Sequence, residues 1–249
     1  MTTGATHETS QGSPPGKKPR RWLKGAIIGG IVVIALLVGG PFVYINFIEG
    51  DPPAALSVNS QSTQAAADTA GTATVPTDGT WKVGSGSQVG YRVKEVLFGQ
   101  STTAVGRTSG VTGQLAISGT TVQSASFTAD MTTVASDQSQ RDGQFRGRIM
   151  ETSRYPTVTF TLTKPIDLGS VPATGVTKTY QATGDLTLHG VTKSVSISLE
   201  TQRSGAQIKI GGQIPIVFAD YNVSNPSFPG VVTTEDKGIM EVLLVLTKS

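Results

Sequence analysis

At 249 residues the chain can hold one sizeable domain or two small ones, and only 15% of it is charged. Lys17, Lys18, Arg20, Arg21 and Lys24, set against Glu8, outweigh the whole net charge of +3. Everything after Lys24 is therefore close to neutral and offers no basic surface for nucleic acid. The chain has no cysteine, which excludes a disulfide framework, thiol chemistry and Cys-based metal sites.

Residues 1–24 are polar, contain Pro14, Pro15 and Pro19, and read as a disordered basic tail. "GAIIGGIVVIALLVGGPFVYINFI" (25–48) carries no charge, and the next charged residue is Glu49. About 20 apolar residues cross a hydrocarbon core of about 30 Å, whereas the apolar part of a signal peptide runs only about 7–15 residues. "GGPFVYIN" is a poor cleavage site, so an uncleaved transmembrane helix is expected over 25–48. The Arg20-Arg21 pair serves as its ordinary positive flank rather than as a twin-arginine signal. Positive flanks stay cytoplasmic, which puts the remaining chain outside the membrane, in a bacterial cell envelope. Residues 49–78 contain almost no large apolar side chain and read as a flexible linker, a coil spanning roughly 30 Å.

From about residue 79 to 249 the texture becomes β-type. Val89, Tyr91 and Val93 alternate with Gln88, Arg92 and Lys94. The same period of two runs through Val111–Ile117, Phe127–Met131, Val158–Leu162, Tyr180–Leu188, Val195–Leu199 and Ile208–Ile216, the mark of half-buried strands. "GIMEVLLVLTK" is apolar at both parities, which predicts cover on both faces. Short turns between eight or nine strands predict an all-β, antiparallel barrel, whose closure removes exposed edges and whose interior can enclose one small ligand. A two-sheet sandwich is the alternative.

"QRDGQFRGRIMETSRYP" (140–156) interrupts this pattern with Arg141, Asp142, Arg146, Arg148, Glu151 and Arg154. Ser139 and Asp142 have the spacing of a capping box, and Asp142 and Arg146 that of a helical ion pair. Phe145 and Ile149 share one helical face, with Met150 beside them, and Pro156 discourages helix at Tyr155. A short inserted helix is expected across one barrel end, apolar face inward, with its arginines outward or on loop carbonyls. A guanidinium fork also suits an anionic head group.

Two stretches carry a resemblance. "RDGQFRGRIMETSRYPTVTF" looks like the arginine-aspartate segment of the YceI family, which ends in Tyr-Pro before a strand. "GDLTLHGVTKSVSISL" (184–199) resembles that family's Leu-Thr-Ile-His-Gly-Val-Thr-Lys stretch. The likeness covers about Thr80 to Lys248, is specific in these two motifs and loose elsewhere. It departs from the family pattern by about one missing residue near Gly147–Arg148, and by Ile149-Met150 where an aromatic pair is usual. It implies a lipocalin-like barrel of about eight strands holding an isoprenoid chain, such as a polyprenyl lipid or an isoprenoid quinone.

On that footing the expected cavity lining is Val89, Tyr91, Val93, Phe127, Val158, Phe160, Leu186 and Leu188 from the strands, with Phe145, Ile149 and Met150 from the helix. Arg141, Asp142, Arg146, Arg148 and His189 are the rim or head-group candidates. The expected partners are the lipid and, through 25–48, the membrane; a homodimer stays open. No cofactor, metal or catalytic residue is expected. His189 is the sole histidine outside the tail, too few for a zinc site, which needs three or four ligands. No G-x-S-x-G elbow is present, and "GSGSQVG" (84–90) leads into a strand, unlike a phosphate loop, which leads into a helix. Two competing readings remain: a tethered interaction module with a solid core, and a membrane-bound hydrolase built on Ser or Asp around His189.

Overall fold

The computed structural model describes residues 51–59 and 76–249. The expected tail (1–24), membrane helix (25–48) and part of the linker lie outside the described residues. Among those described, no helix is long and apolar enough to cross a membrane.

The strands in chain order are β1 (Gly79–Val83), β2 (Gln88–Leu97), β3 (Gln100–Thr108), β4 (Val111–Ser118), β5 (Thr121–Asp130) and β6 (Ala135–Ser136). Helix α1 (Ser139–Gln144) follows and runs on into a π-helical turn, Phe145–Ile149. Then come β7 (Thr157–Leu162), β8 (Ile166–Asp167), β9 (Thr177–Leu188), β10 (Val191–Ser204), β11 (Gln207–Val217), β12 (Val232–Thr234) and β13 (Lys237–Lys248). All pairings are antiparallel, and the order β1–β4–β5–β7–β9–β10–β11–β13 returns to β1, a closed ring of eight. The barrel expected from the period-two pattern is present, and the sandwich is not.

β13 closes the ring with two partners. Its first half pairs with β2 (Ile239↔Arg92 to Leu243↔Gln88) and its end with β1 (Leu246↔Val83 to Lys248↔Trp81). The break between β1 and β2 falls in "GSGSQVG", the glycine-rich stretch read above as a turn. Buried Ser87 bridges the break: its Oγ accepts from the Val245 amide at 2.9 Å. Trp81 and Leu246, both fully buried, fill the interior where β1 meets β13. At the opposite end β6 pairs only with β3, and α1 with its π-turn occupies the gap beside it.

Even-numbered residues of β13 point inward, and the odd ones, Glu241, Leu243 and Val245, point outward yet are buried. Residues 51–59 lie on this outer face. This piece of the expected linker is therefore docked on the barrel, with Leu56 buried and Val58 only 1% exposed. Arg92 donates to the Pro53 carbonyl at 2.5 Å, and Arg107 donates to that of Ala54. The Val58 amide nitrogen lies 3.1 Å from where a Cβ of Gly211 would stand, so glycine is what lets the segment lie flat. Glu241, 0% exposed, binds both arginines, at 2.6 Å (Arg92) and 3.0 Å (Arg107). Prolines and small residues look like linker, but here they form a strap.

Candidate functional site

Inward-facing side chains leave two apolar cavities within the barrel, one of about 120 Å³ and one of about 140 Å³. Val89, Val158 and Met240 line both, forming a waist between them. Cavities of this size lined by aliphatic and aromatic groups stay dry and accept apolar guests. The first cavity is lined by Phe127, Phe160 and Leu186 together with Leu115, Ala125, Ala182, Ile197 and Leu244. The second lies under the helix and is lined by Tyr91, Val93, Phe145, Ile149, Met150 and Leu188, with Glu95, Arg141, Pro226 and Thr234.

Every one of the eleven expected lining residues borders a cavity. Residues of one strand parity face one side, which places the eight strand residues; Phe145, Ile149 and Met150 come from the apolar face of the helical insertion. Several lining residues were not anticipated: Leu162, Ile166, Leu168, Tyr180, Met240, Val242 and Ile216. For β13 the signal was masked, because a strand covered on both faces shows no alternation to read. The lone acid Glu241 inside that apolar run was the available clue to an outer partner.

The polar part of the lining gathers under the helix. Arg141 borders the second cavity and pairs with Glu95 at 3.5 Å and with Asp137 one helical turn back. Tyr91 stacks on Phe145 with ring centroids 5.0 Å apart and planes 17° apart. Its ring occupies the space a side chain at Gly106 would need, so the β2–β3 pair admits it only over glycine. Burial pushes the Tyr91 phenol well above its usual range; Arg141 opposes this, while Asp142, Glu95 and Asp137 add to it.

The other rim candidates have structural partners. The capping box does not form: Gln138 is the N-cap and gives no side-chain bond. Asp142 instead reaches back to β6, its Oδ1 accepting from the Ser136 amide (2.8 Å) and hydroxyl (2.7 Å). Nor does Arg146 pair with Asp142; it donates to the Val134 carbonyl at 3.1 Å, and Arg148 to that of Pro226 at 3.2 Å. These two follow the expectation of arginines on loop carbonyls, and neither borders a cavity. Past the π-turn, where the Met150 amide bonds the Phe145 carbonyl five residues back, Ile149 and Met150 face the second cavity.

His189 borders neither cavity. It sits in the β9–β10 turn at φ +48°, with Nδ1 3.1 Å from the Tyr221 carbonyl and Nε2 3.7 Å from the Glu151 carboxylate. The Tyr155 ring covers it edge-on. The contacts of His189 are thus with Tyr221, Glu151 and Tyr155. Among the described residues no group of three His, Asp or Glu side chains is placed to hold a metal ion.

Comparison with known proteins follows the same lines. A UPF0312 protein of Vibrio campbellii is 35% identical over 101 residues, 38% of this chain and 50% of that protein. A second UPF0312 protein, from Vibrio parahaemolyticus, is 36% identical over 77 residues, 30% of this chain and 37% of that one. The chain thus matches half or less of the length of these curated relatives. Among solved structures, a polyisoprenoid binding domain from Saccharophagus degradans, implicated in plant cell wall breakdown, superposes with a TM-score of 0.55 at 21% identity. That match covers 69% of this chain and 99% of the other, and it shows a common fold. The YceI-like domain profile matches residues 81–245, from the buried Trp81 to the outward Val245 of the closing strand, and the chain belongs to that family.

Proposed function

We propose that this protein is a membrane-anchored, extracytoplasmic lipid-binding protein that holds a polyisoprenoid or isoprenoid quinone in the barrel, as a carrier, store or sensor. The observation that carries this reading is the pair of apolar cavities joined at the Val89–Val158–Met240 waist, with charged lining confined to the Arg141 end. A long apolar chain with one polar head matches that distribution. The relative from Saccharophagus degradans, described as polyisoprenoid binding, supports the choice of ligand class. The apolar run 25–48 with its basic flank supports the anchor and the location.

Burying a CH₂ from water gains about 0.8 kcal/mol, but an isoprenoid lipid starts in a bilayer and gains little of this on transfer. Affinity must come from fit in the cavities and from the head group, which favours reversible holding. A module with a solid core, the competing reading, would fill its centre with side chains, and these cavities count against it. The test is organic extraction and mass spectrometry of the soluble form from Asp51 onward, so that the strap is kept. An isoprenoid at near-stoichiometric yield is expected; an empty barrel would sink the proposal.

A further inference from the structure

Six large apolar side chains stay exposed among the described residues, and four of them, Val96, Phe98, Phe228 and Val231, meet at one place. Phe98 is 52% and Phe228 60% exposed. The β2–β3 hairpin tip and the β12 loop are tied together there: the Phe98 amide donates to the Val231 carbonyl at 2.9 Å, and Val232 pairs with Leu97. The Phe228 amide donates to the Val232 carbonyl at 2.8 Å, which fixes the second phenylalanine beside the first hairpin. Two aromatic rings held in water on a bonded frame are not a collapsed core; they are a tip. The same loop supplies Pro226 and Thr234 to the lining of the second cavity.

The strap gives this tip a direction. Pro53 lies at Arg92, Val58 at Gly211, and Asn59 near Gln202, so the strap runs away from the hairpin tip as it proceeds. Upstream of Pro53, four residues separate it from Ile48, the last of the apolar run, a span of five Cα-to-Cα steps. Fully extended they reach at most about 18 Å. Along β2 the five steps from Arg92 to Leu97 rise about 17 Å. A chain of that length is long enough to span from the level of Arg92 to the apolar tip.

We propose that the helix-capped end of the barrel seats on a lipid bilayer, with Val96, Phe98, Phe228 and Val231 inserted into it beside the mouth of the second cavity. The seat does not depend on which molecule fills the barrel. Amphipathic surfaces of this kind enter the boundary between head groups and chains rather than spanning the membrane.

The test uses the full chain reconstituted in vesicles of phosphatidylcholine and phosphatidylglycerol, with plain or brominated acyl chains. Phe98→Trp reports the tip and Ala206→Trp, in the β10–β11 turn, reports the opposite end, each read against the unsubstituted chain, which carries Trp22 and Trp81. At an insertion depth of roughly 5–10 Å the added indole at position 98 loses about half its emission in brominated vesicles. The one at position 206 loses none. Equal quenching at both positions, or none at 98, overturns the proposal, the latter being also the result for a tip that binds a protein. Phe228→Trp repeats the measurement should the first variant fail to fold. Lipid content of the barrel, read separately by extraction, leaves this outcome unaffected.

Discussion

The ring of Tyr155 stands edge-on to the imidazole of His189, centroids 4.5 Å apart and planes at 63°, so the two family motifs meet. Tyr155 closes the charged segment and His189 heads the turn between the two longest neighbouring strands. Next to it, a Cβ at Gly190 would come within 2.5 Å of Tyr155 Cε1, at φ +76°. The tyrosine therefore holds the C-terminal end of the helical insertion onto the β9–β10 turn, and glycine is the residue that admits it.

Gly190→Ala should destabilise the barrel by about 1–3 kcal/mol, since a Cβ is strained at that φ and also strikes the ring. Thermal or denaturant unfolding measures this. In a Tyr155→Ala background the collision is gone while the backbone strain remains, so the cost should fall without vanishing. Equal costs in both backgrounds would show that the ring plays no part.

Ala125→Leu separates a lipid cavity from a solid core. Ala125 lines the first cavity. Extra methyl groups in a packed interior cost about 1–3 kcal/mol, whereas in a void they add contacts. The ligand-free variant should melt no lower than the parent, and it should retain less long-chain lipid on extraction. A clear drop in stability of the ligand-free form would favour the solid core.

Of the rim arginines, Arg141 alone borders a cavity. Arg141→Gln should leave stability within about 1 kcal/mol, because its ion pairs are partly exposed, yet lipid retention should fall several-fold. Arg148→Ala, on the outer side, should leave retention unchanged. Retention measured by mass spectrometry after dilution into empty vesicles distinguishes the two.

Much of this site was legible beforehand because a barrel strand has two faces and the sequence alternates with them. Val89, Tyr91 and Val93 could be placed by parity alone. The helix was found from Phe145, Ile149 and Pro156, but its caps were not: Asp142 has the spacing of a capping box, while the nearby Ser136 hydroxyl and amide offer it a better pair of donors. Ion-pair spacing failed for Arg146 for a similar reason, since Asp142 is taken up by Ser136 and Arg146 donates to the Val134 carbonyl instead. His189 is a rim candidate in a strand-turn by sequence; the structure places it in the β9–β10 turn, bordering neither cavity, with Nδ1 at the Tyr221 carbonyl. The strap was hidden altogether, since Pro, Ala and Ser hold no period that marks a docked coil.

Alkali should act through Tyr91. An exposed or unfolded tyrosine ionises near pH 10, and burial holds the folded phenol above that. As pH rises past about 10 the unfolded chain sheds this proton first, so the stability that Tyr91 contributes is intact below pH 10 and declines above it. Tyr91→Phe should flatten this part of the decline between pH 9 and 11, followed by denaturant midpoints. An unchanged slope would mean that other groups cause it.

Glu241→Gln should cost about 3 kcal/mol, the usual penalty for leaving buried charge without its counter-charge, and should loosen the strap. Proteolysis at 51–59 followed by mass spectrometry reads the second effect directly. A variant as stable as the parent with a protected strap would show that Arg92 and Arg107 are held by the carbonyls of Pro53 and Ala54 alone.

The strap also sets an order of events. The two arginines that grip it are held by Glu241 on the final strand, while the strap itself is the first part of the described chain to leave the ribosome. Until β13 has paired with β2 and β11, the groups that grip Pro53 and Ala54 are not assembled. An incomplete barrel therefore leaves the strap undocked, and only a finished one holds it. Closing the last seam and seating the strap are one event, so a half-made chain exposes at 51–59 a segment that a mature one covers, a difference that a protease reads as cleavage.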